Sequence, residues 1–95
     1  MKVKVRSIAL IKSLLGGSDL EVDLPEGATV DDLMARLTAI GDPALASHLA
    51  PPQEESAHAP LRILINGRDI TVLDGRRTVL ADGDDVLVFI PIAGG

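Results

Sequence analysis

The chain contains no cysteine, tryptophan or tyrosine, and its single aromatic residue is Phe89. Without thiols it cannot form a disulfide framework, a thiolate metal site or a cysteine nucleophile. Because only one residue is aromatic, the core must be built from valine, leucine and isoleucine. Residues 1–6 alternate charge with valine and lack a continuous apolar signal segment, and no stretch is long enough to span a bilayer. The sequence predicts a cytoplasmic protein that does not bind membranes.

Positive charge is also in short supply. The chain has 9 Lys and Arg against 14 Asp and Glu, which gives a formal net charge of -5. A nucleic-acid surface needs clustered basic residues, so we expect no nucleic-acid partner. At 95 residues, of which 46% are hydrophobic, the chain is one ordinary globular domain. We predict this domain over residues 1–91, with an irregular loop or short helix at 42–60 and a flexible tail at 92–95.

Two alternating segments near the N-terminus predict an antiparallel hairpin. Each alternates apolar with polar or charged residues, which is the pattern of a half-buried strand. Between them lies the apolar run 8–15, closed by Gly16 and Gly17. This run could either prolong the first strand or form a short helical turn. The apolar strand positions are Val3 and Val5 in the first segment and Leu20, Val22 and Leu24 in the second.

Residues 30–40 carry the clearest helical pattern. Thr29 is of the residue type that caps a helix N-terminus, and Asp32 follows three residues later in the position of a capping box. Gly41 stands where a C-cap belongs. We therefore predict an amphipathic helix of about three turns that packs on the core. Its apolar stripe consists of Val30, Leu33, Met34, Leu37 and, more loosely, Ile40.

The C-terminal third predicts two or three more strands. Residues 61–65 form one, followed by an Asn-Gly turn at 66–67, and residues 68–73 could form a short edge strand. A further turn at 82–84 precedes the final strand, 86–90. This order predicts an α+β fold of the β-grasp type, with a mixed sheet of four to five strands packed on one main helix. The valine-rich first and last strands are predicted to be a parallel central pair.

The residues that most resemble an active site are His48 and His58, with Glu54 and Glu55 between them. They could be drawn as a metal site, but their segment is rich in proline and their spacing matches no helical metal motif. A solvated loop is the simpler interpretation. Nothing orients a serine for a Ser-His-Asp triad. We therefore predict no catalytic residue, no metal site and no bound cofactor.

The most informative feature is the final segment, Pro91-Ile92-Ala93-Gly94-Gly95. Neither terminal glycine has a Cβ, so the tail can lie in a channel too narrow for other residues. The four residues beyond Pro91 reach at most about 14 Å. A carboxylate becomes a good electrophile once ATP converts it to an acyl-adenylate, from which a sulfur nucleophile can displace AMP. The tail therefore predicts a carrier, not an enzyme, whose Gly95 carboxylate reacts in a partner's active site.

Three stretches of the chain match one known family: the strand-to-helix junction 24–33, the turn 80–86 into the last strand, and the tail 89–95. They resemble the MoaD/ThiS family of ubiquitin-like sulfur carriers, and with Ile65-Asn66-Gly67 the resemblance covers nearly everything except 42–60. It implies a β-grasp fold and adenylation of Gly95 by an E1-like enzyme of the MoeB/ThiF type with Mg-ATP. It also implies thiocarboxylation with sulfur from a persulfide donor.

The resemblance leaves the sulfur acceptor open. We favour the large subunit of molybdopterin synthase, because segment 42–60 makes the chain longer than a typical ThiS protein. Segment 7–12, however, lacks the aromatic residue usual in that branch. The pattern Asp74-Gly75-x-x-Thr78-x-Leu80 and the Ile-Ala-Gly-Gly ending are similar to relatives in cysteine synthesis and to small modifiers. Thiamin synthesis, cysteine synthesis, tRNA thiolation and conjugation to lysines are therefore alternatives.

The last strand also predicts a docking surface. If Val86, Val88 and Ile90 face the helix, Leu87 and Phe89 point to the opposite face of the sheet. An aromatic residue on an open face beside a functional tail is a candidate partner contact. Alternatively, the register is shifted by one residue and Phe89 belongs to the core.

Overall fold

The computed structural model describes residues 1–49 and 61–90. The predicted tail and most of the predicted loop therefore lie outside the described residues, and the predicted domain boundaries stay predictions. The described part contains five strands and three α-helices, and short 3-10 turns at Ile70–Val72 and Gly75–Arg77 join the last two strands. The elements are β1 (Lys2–Ser7), α1 (Ala9–Leu15), β2 (Asp19–Asp23), α2 (Val30–Ile40), α3 (Leu45–Leu49), β3 (Arg62–Ile65), β4 (Arg68–Asp69) and β5 (Asp85–Phe89).

The described strands form one mixed sheet in the order β2-β1-β5-β3-β4. Strands β1 and β5 run parallel at its centre, with Val5 level with Val86. All other neighbours are antiparallel, including the N-terminal hairpin of β1 and β2. The predicted α+β architecture and its central parallel pair are confirmed.

One face of this sheet carries the core. The valines of β1 and β5 are buried and the residues that alternate with them are more accessible, because successive strand residues point to opposite faces. The buried residues of α1, α2 and α3 join the inward-facing strand residues in a single cluster. Its most deeply buried members include Val3, Val30, Leu33, Leu37, Val86 and Val88, each 0% exposed. Among residues 1–49 and 61–90, no α-helix packs on the opposite face of the sheet, which we call the open face.

Helix α2 begins as its sequence predicts. The Thr29 hydroxyl accepts the Asp32 backbone N–H at 3.3 Å, and the Asp32 carboxylate accepts the Thr29 backbone N–H at 2.8 Å. This is a complete capping box, which satisfies two backbone donors at the helix start. At the other end the Gly41 N–H donates to the Leu37 carbonyl, but the Gly41 backbone is extended, not left-handed. Glycine is needed there for space, since a Cβ would lie 2.6 Å from Leu45 Cδ2.

Two segments that the sequence left ambiguous resolve into helical turns. Residues 8–15 do not prolong β1: they form α1, which buries Ile11 and Leu15 one turn apart and ends at left-handed Gly16. The predicted edge strand at 68–73 is right only for Arg68–Asp69. The chain then turns, because the Asp69 carboxylate accepts the Thr71 N–H at 2.9 Å and starts a 3-10 turn.

The predicted turns at 66–67 and 82–84 lie next to each other at the start of β5. Asn66 and Gly67 both have positive φ, as the tightest hairpin turns require. The Asn66 side chain donates to Asp84 Oδ1 and accepts the Asp85 N–H, both at 3.0 Å. Asp82 accepts the Lys2 N–H at 2.7 Å. These acidic residues therefore fix the N-terminal end of the central strands. In the part of the chain described, no helix has the length and apolar character needed to cross a membrane.

Candidate functional site

The end of β5 places the C-terminal segment at one end of the sheet. Strands β1 and β5 are parallel and Ser7 is level with Val88, so the start of α1 lies beside the end of β5. The next residue, Ile90, packs partly against the core. The chain therefore leaves the sheet toward Pro91 next to the β1–α1 connection. Residues 91–95, which include every predicted tail residue and Gly95, lie outside the described residues.

Apolar side chains are exposed at this same end of the sheet. Ile8 is 52% exposed and Leu10 is 47% exposed, whereas Ile11 in the same run is fully buried. Sequence reasoning missed Ile8 and Leu10, because a dense apolar run of this kind gives no indication of which members face solvent. The available signal for Leu10 was the i, i+4 spacing of Ile11 and Leu15. Once the run is helical, these two residues mark the buried face, and Leu10, one residue before Ile11, lies on a different side of the helix.

The open face of the sheet carries an apolar patch that adjoins the tail exit. Leu87 and Phe89 lie on this face and are partly buried, while Val86 and Val88, which alternate with them along β5, are buried in the core. Leu64 on β3 is the cross-strand partner of Leu87 and faces the same way. We call these three residues, Leu64, Leu87 and Phe89, the open-face patch. The alternative in which Phe89 belongs to the core is wrong, and its role in docking stays a prediction.

Two ion pairs frame the open-face patch. Arg62, the cross-strand partner of Phe89, donates through Nε to Asp69 Oδ2 at 2.8 Å. Arg6, level with Leu87 on the other side, donates through Nε to Asp85 Oδ1 at 2.9 Å. Both arginine side chains are therefore positioned beside apolar surface, and about half of each is exposed.

The carboxylate of Asp69 is held in its ionised form. Its pKa is lowered from the ordinary value of 3.8, chiefly because it accepts the Thr71 backbone N–H, then because it accepts the Thr71 hydroxyl and pairs with Arg62. The negative charge that positions Arg62 therefore persists throughout the neutral pH range. This arrangement is suited to holding a binding surface.

Of the residues that most resembled an active site, His48 alone lies in the described part of the chain. His48 lies on α3, whereas His58, Glu54 and Glu55 lie outside the described residues. Within residues 1–49 and 61–90, no group of three or more His, Asp or Glu side chains could hold a metal ion.

Known proteins are similar to this chain in sequence and in fold. Small archaeal modifier protein 3 from Haloferax volcanii is 37% identical over 95 residues, with 100% of each chain covered. The solution structure of the HVO 2177 protein from Haloferax volcanii has a TM-score of 0.80 at 34% identity, covering 100% of this chain and 87% of that chain. A Pyrococcus furiosus structure assigned as molybdopterin converting factor subunit 1 has a TM-score of 0.78 at 32% identity, covering 97% and 99%.

The fold and its relatives define a small ubiquitin-like protein of the carrier and modifier class. The sequence profile of the ThiS family matches residues 6–95, and the chain belongs to that family. The predicted β-grasp fold and the resemblance to MoaD/ThiS sulfur carriers are thereby confirmed.

Proposed function

We propose that this protein is a sulfur carrier whose Gly95 carboxylate is activated and converted to a thiocarboxylate. The observation that carries the proposal is the family match, which extends through residue 95 and so includes the diglycine. In the proposed sequence a carboxylate oxygen attacks the α-phosphorus of ATP, and pyrophosphate leaves. A persulfide sulfur then attacks the acyl carbon and AMP leaves. A second thiol, supplied by a partner, then attacks the donor's sulfur of this acyl disulfide: a new disulfide forms between the two thiol sulfurs, and the thiocarboxylate of Gly95 leaves.

The geometry supports a division of labour between this chain and its partners. The core cluster and the capping box hold a rigid sheet, and the chain leaves that sheet beside Ile8 and Leu10. A partner that covers the open-face patch would receive the adjoining tail, which can reach about 14 Å beyond Pro91. An E1-like enzyme of the MoeB/ThiF type, with Mg-ATP, would supply the adenylating groups. A persulfide donor would supply the sulfur.

We propose molybdopterin synthesis as the first candidate for the pathway that receives the sulfur. The Pyrococcus furiosus protein assigned as molybdopterin converting factor subunit 1 shares 32% identity over nearly the full length of both chains. In this pathway the thiocarboxylate would be presented to the large subunit of molybdopterin synthase. Sulfur donation to thiamin, cysteine or tRNA would use the same activated tail with a different acceptor.

A second candidate function is protein modification. The specific observation that favours it is the 37% identity to small archaeal modifier protein 3 across the whole of both chains. Here a lysine amine of a target would attack the activated acyl carbon of Gly95, AMP would leave, and an isopeptide bond would form. The two functions share the activation step and differ in the nucleophile that follows it.

Intact mass spectrometry tests the carrier proposal directly. The purified protein would be incubated with an E1-like enzyme, ATP and a sulfur donor, and then treated with a thiol alkylator. Because the chain has no cysteine, an ATP-dependent alkyl adduct that maps to Gly95 reports a thiocarboxylate. We expect that adduct. Its absence with several competent activating enzymes would contradict the carrier proposal.

Replacing Phe89 by alanine is expected to weaken binding to the activating enzyme. Burial of this side chain in a partner would contribute roughly 1.5–3 kcal/mol, which corresponds to about a 10- to 150-fold change in Kd. The melting temperature should change little, because the core side chains of β5 are Val86 and Val88. Val79→Ala is a matched control, since Val79 is 62% exposed and lies outside the sheet. If Phe89→Ala binds as tightly as the parent protein in calorimetry, Phe89 does not belong to the docking surface.

A further inference from the structure

The outer edge of β2 is open for strand pairing. Strand β2 is the first strand of the sheet, and within the described residues no strand lies beyond it. The Leu24 N–H donates to Met1 O, and the Ser7 N–H donates to Ser18 O. Hydrogen-bonded pairs alternate along an antiparallel ladder, so the intervening residues, Asp19, Glu21 and Asp23, point their N–H and C=O groups away from β1. These groups form a ladder edge that another strand can use.

The side chains of the same residues give this edge a charge. Asp19, Glu21 and Asp23 are all exposed on the open face, whereas Val22 between them is 4% exposed and belongs to the core. The edge therefore presents three carboxylates at two-residue spacing, in register with outward-pointing backbone groups. Cationic side chains at every second position of an added strand would lie directly opposite or diagonal to them.

The inner edge of β2 already pairs with a strand of this kind. Strand β1 places Lys2, Lys4 and Arg6 level with Asp23, Glu21 and Asp19, and places valines on the core side. The Lys2 ammonium lies 3.4 Å from Glu21 Oε1. The chain thus contains its own example of the sequence pattern that fits β2: cationic residues toward the carboxylates and β-branched residues toward the helices.

A cleft beside the outer edge can receive the apolar side chains of an added strand. It lies between β2 and the last turns of α2, has a volume of about 210 Å³, and is lined by Glu21, Val22, Asp23, Arg36 and Ile40. Ile40 is 55% exposed although it belongs to the apolar stripe of α2. An extended segment on the β2 edge would cover Ile40 with alternate side chains.

We propose that the outer edge of β2 binds an extended segment of a partner protein in which Lys or Arg alternates with β-branched apolar residues. The segment adds a strand to the sheet, its cations lie beside Asp19, Glu21 and Asp23, and its apolar residues contact Ile40. A second copy of β2 does not fit this edge, because antiparallel pairing would set carboxylates opposite carboxylates. This site is separate from the tail exit and does not depend on sulfur transfer.

Hydrogen exchange of the full ¹⁵N-labelled chain with a synthetic peptide tests the site. The probe is a peptide with the sequence of residues 1–8, MKVKVRSI. In the free protein the amides of Asp19, Glu21 and Asp23 should exchange fast, and saturating peptide should slow them about tenfold or more. No slowing at millimolar peptide would overturn the proposal. Loss of protection at Val3 and Val5 would also overturn it, because the peptide would then be replacing β1.

Two variants separate strand pairing from general charge attraction. Glu21→Lys should weaken peptide binding about fivefold or more, since an attractive cross-strand pair becomes repulsive. Glu21→Pro removes the outward N–H, a change that edge strands tolerate, and should weaken binding about tenfold. Glu26→Lys is the matched control, with the same charge change on an exposed turn residue. Equal weakening by Glu26→Lys would overturn the proposal, as would a dimer in the absence of peptide that protects the same three amides.

Discussion

Deletion of Gly95 is expected to abolish thiocarboxylate formation while leaving the fold intact. The remaining carboxylate, on Gly94, would end about 3.5 Å short of its position in the parent protein. Reacting atoms must approach to about 3–3.5 Å for an efficient displacement, so a shortfall of one residue removes the carboxylate from the adenylating site. We expect at least a ~100-fold lower yield of the ATP-dependent adduct on the C-terminal carboxylate, which is that of Gly94 in the variant, measured by intact mass spectrometry after alkylation.

Stability provides the control for this deletion. The described core is complete at Val88, with Ile90 packed partly against it, so the thermal transition of the deletion variant should coincide with that of the parent protein. Sulfur transfer that persists without Gly95 would contradict the proposed role of this residue. A lowered melting temperature would show instead that the tail belongs to the folded core.

The same deletion distinguishes the two candidate functions in cells. A modifier forms conjugates of higher mass with target lysines, and these would disappear when Gly95 is removed. A carrier restricted to sulfur transfer would form no such conjugates with either the parent or the deleted chain. Because both functions begin with the same acyl-adenylate, the loss of the mass-spectrometric adduct alone does not separate them.

Local chemistry explains why parts of the fold could be predicted from the sequence. Helix α2 has a capping box at Thr29 and Asp32 and an apolar stripe of helical period, and each signal lies within a few residues of the structure that it specifies. The alternation of β1 and β5 likewise reports which side chains are buried. Consistent short-range signals of this kind leave little for tertiary contacts to decide.

The segments that remained ambiguous depend on contacts distant in sequence. Residues 8–15 are apolar except for Lys12 and Ser13, so neither a strand nor a helical period stands out until Ile11 and Leu15 pack into the common core. The strand predicted at 68–73 ends early because one carboxylate, that of Asp69, accepts the Thr71 N–H. A single side-chain hydrogen bond of this kind competes with ladder formation and leaves no periodic signature.

Some residues of the candidate site could likewise be predicted from local sequence, whereas others depend on contacts distant in sequence. The diglycine is read directly from the sequence. The face on which Leu87 and Phe89 lie follows from the alternation of residues in β5, so the sequence suffices to predict it. Leu64 joins the open-face patch only through the pairing of β3 with β5, and Ile8 reaches the tail exit only because β1 runs parallel to β5. Such neighbours come from sheet order and register, which a single sequence does not specify locally.

Replacing Leu37 by alanine is expected to have the largest effect on stability. Leu37 is 0% exposed on the buried face of α2, between the inward-facing strand residues and the helices. Removing a fully buried leucine side chain loses its transfer free energy and leaves a cavity, which costs about 2–5 kcal/mol. In a domain of this size that loss lowers Tm by roughly 8 °C or more. Urea and thermal unfolding measure both quantities.

Leu10→Ala is the matched control for Leu37→Ala, because it removes the same atoms from a helix position that is 47% exposed. Less apolar surface is lost from the interior there, and alanine favours the helix, so the free energy of unfolding should change by less than about 1 kcal/mol. A small effect of Leu37→Ala would mean that α2 does not anchor the sheet. With only aliphatic side chains filling the core, the fit of each leucine decides how firmly α2 holds the central strands, and therefore how rigidly β5 presents the tail to a partner.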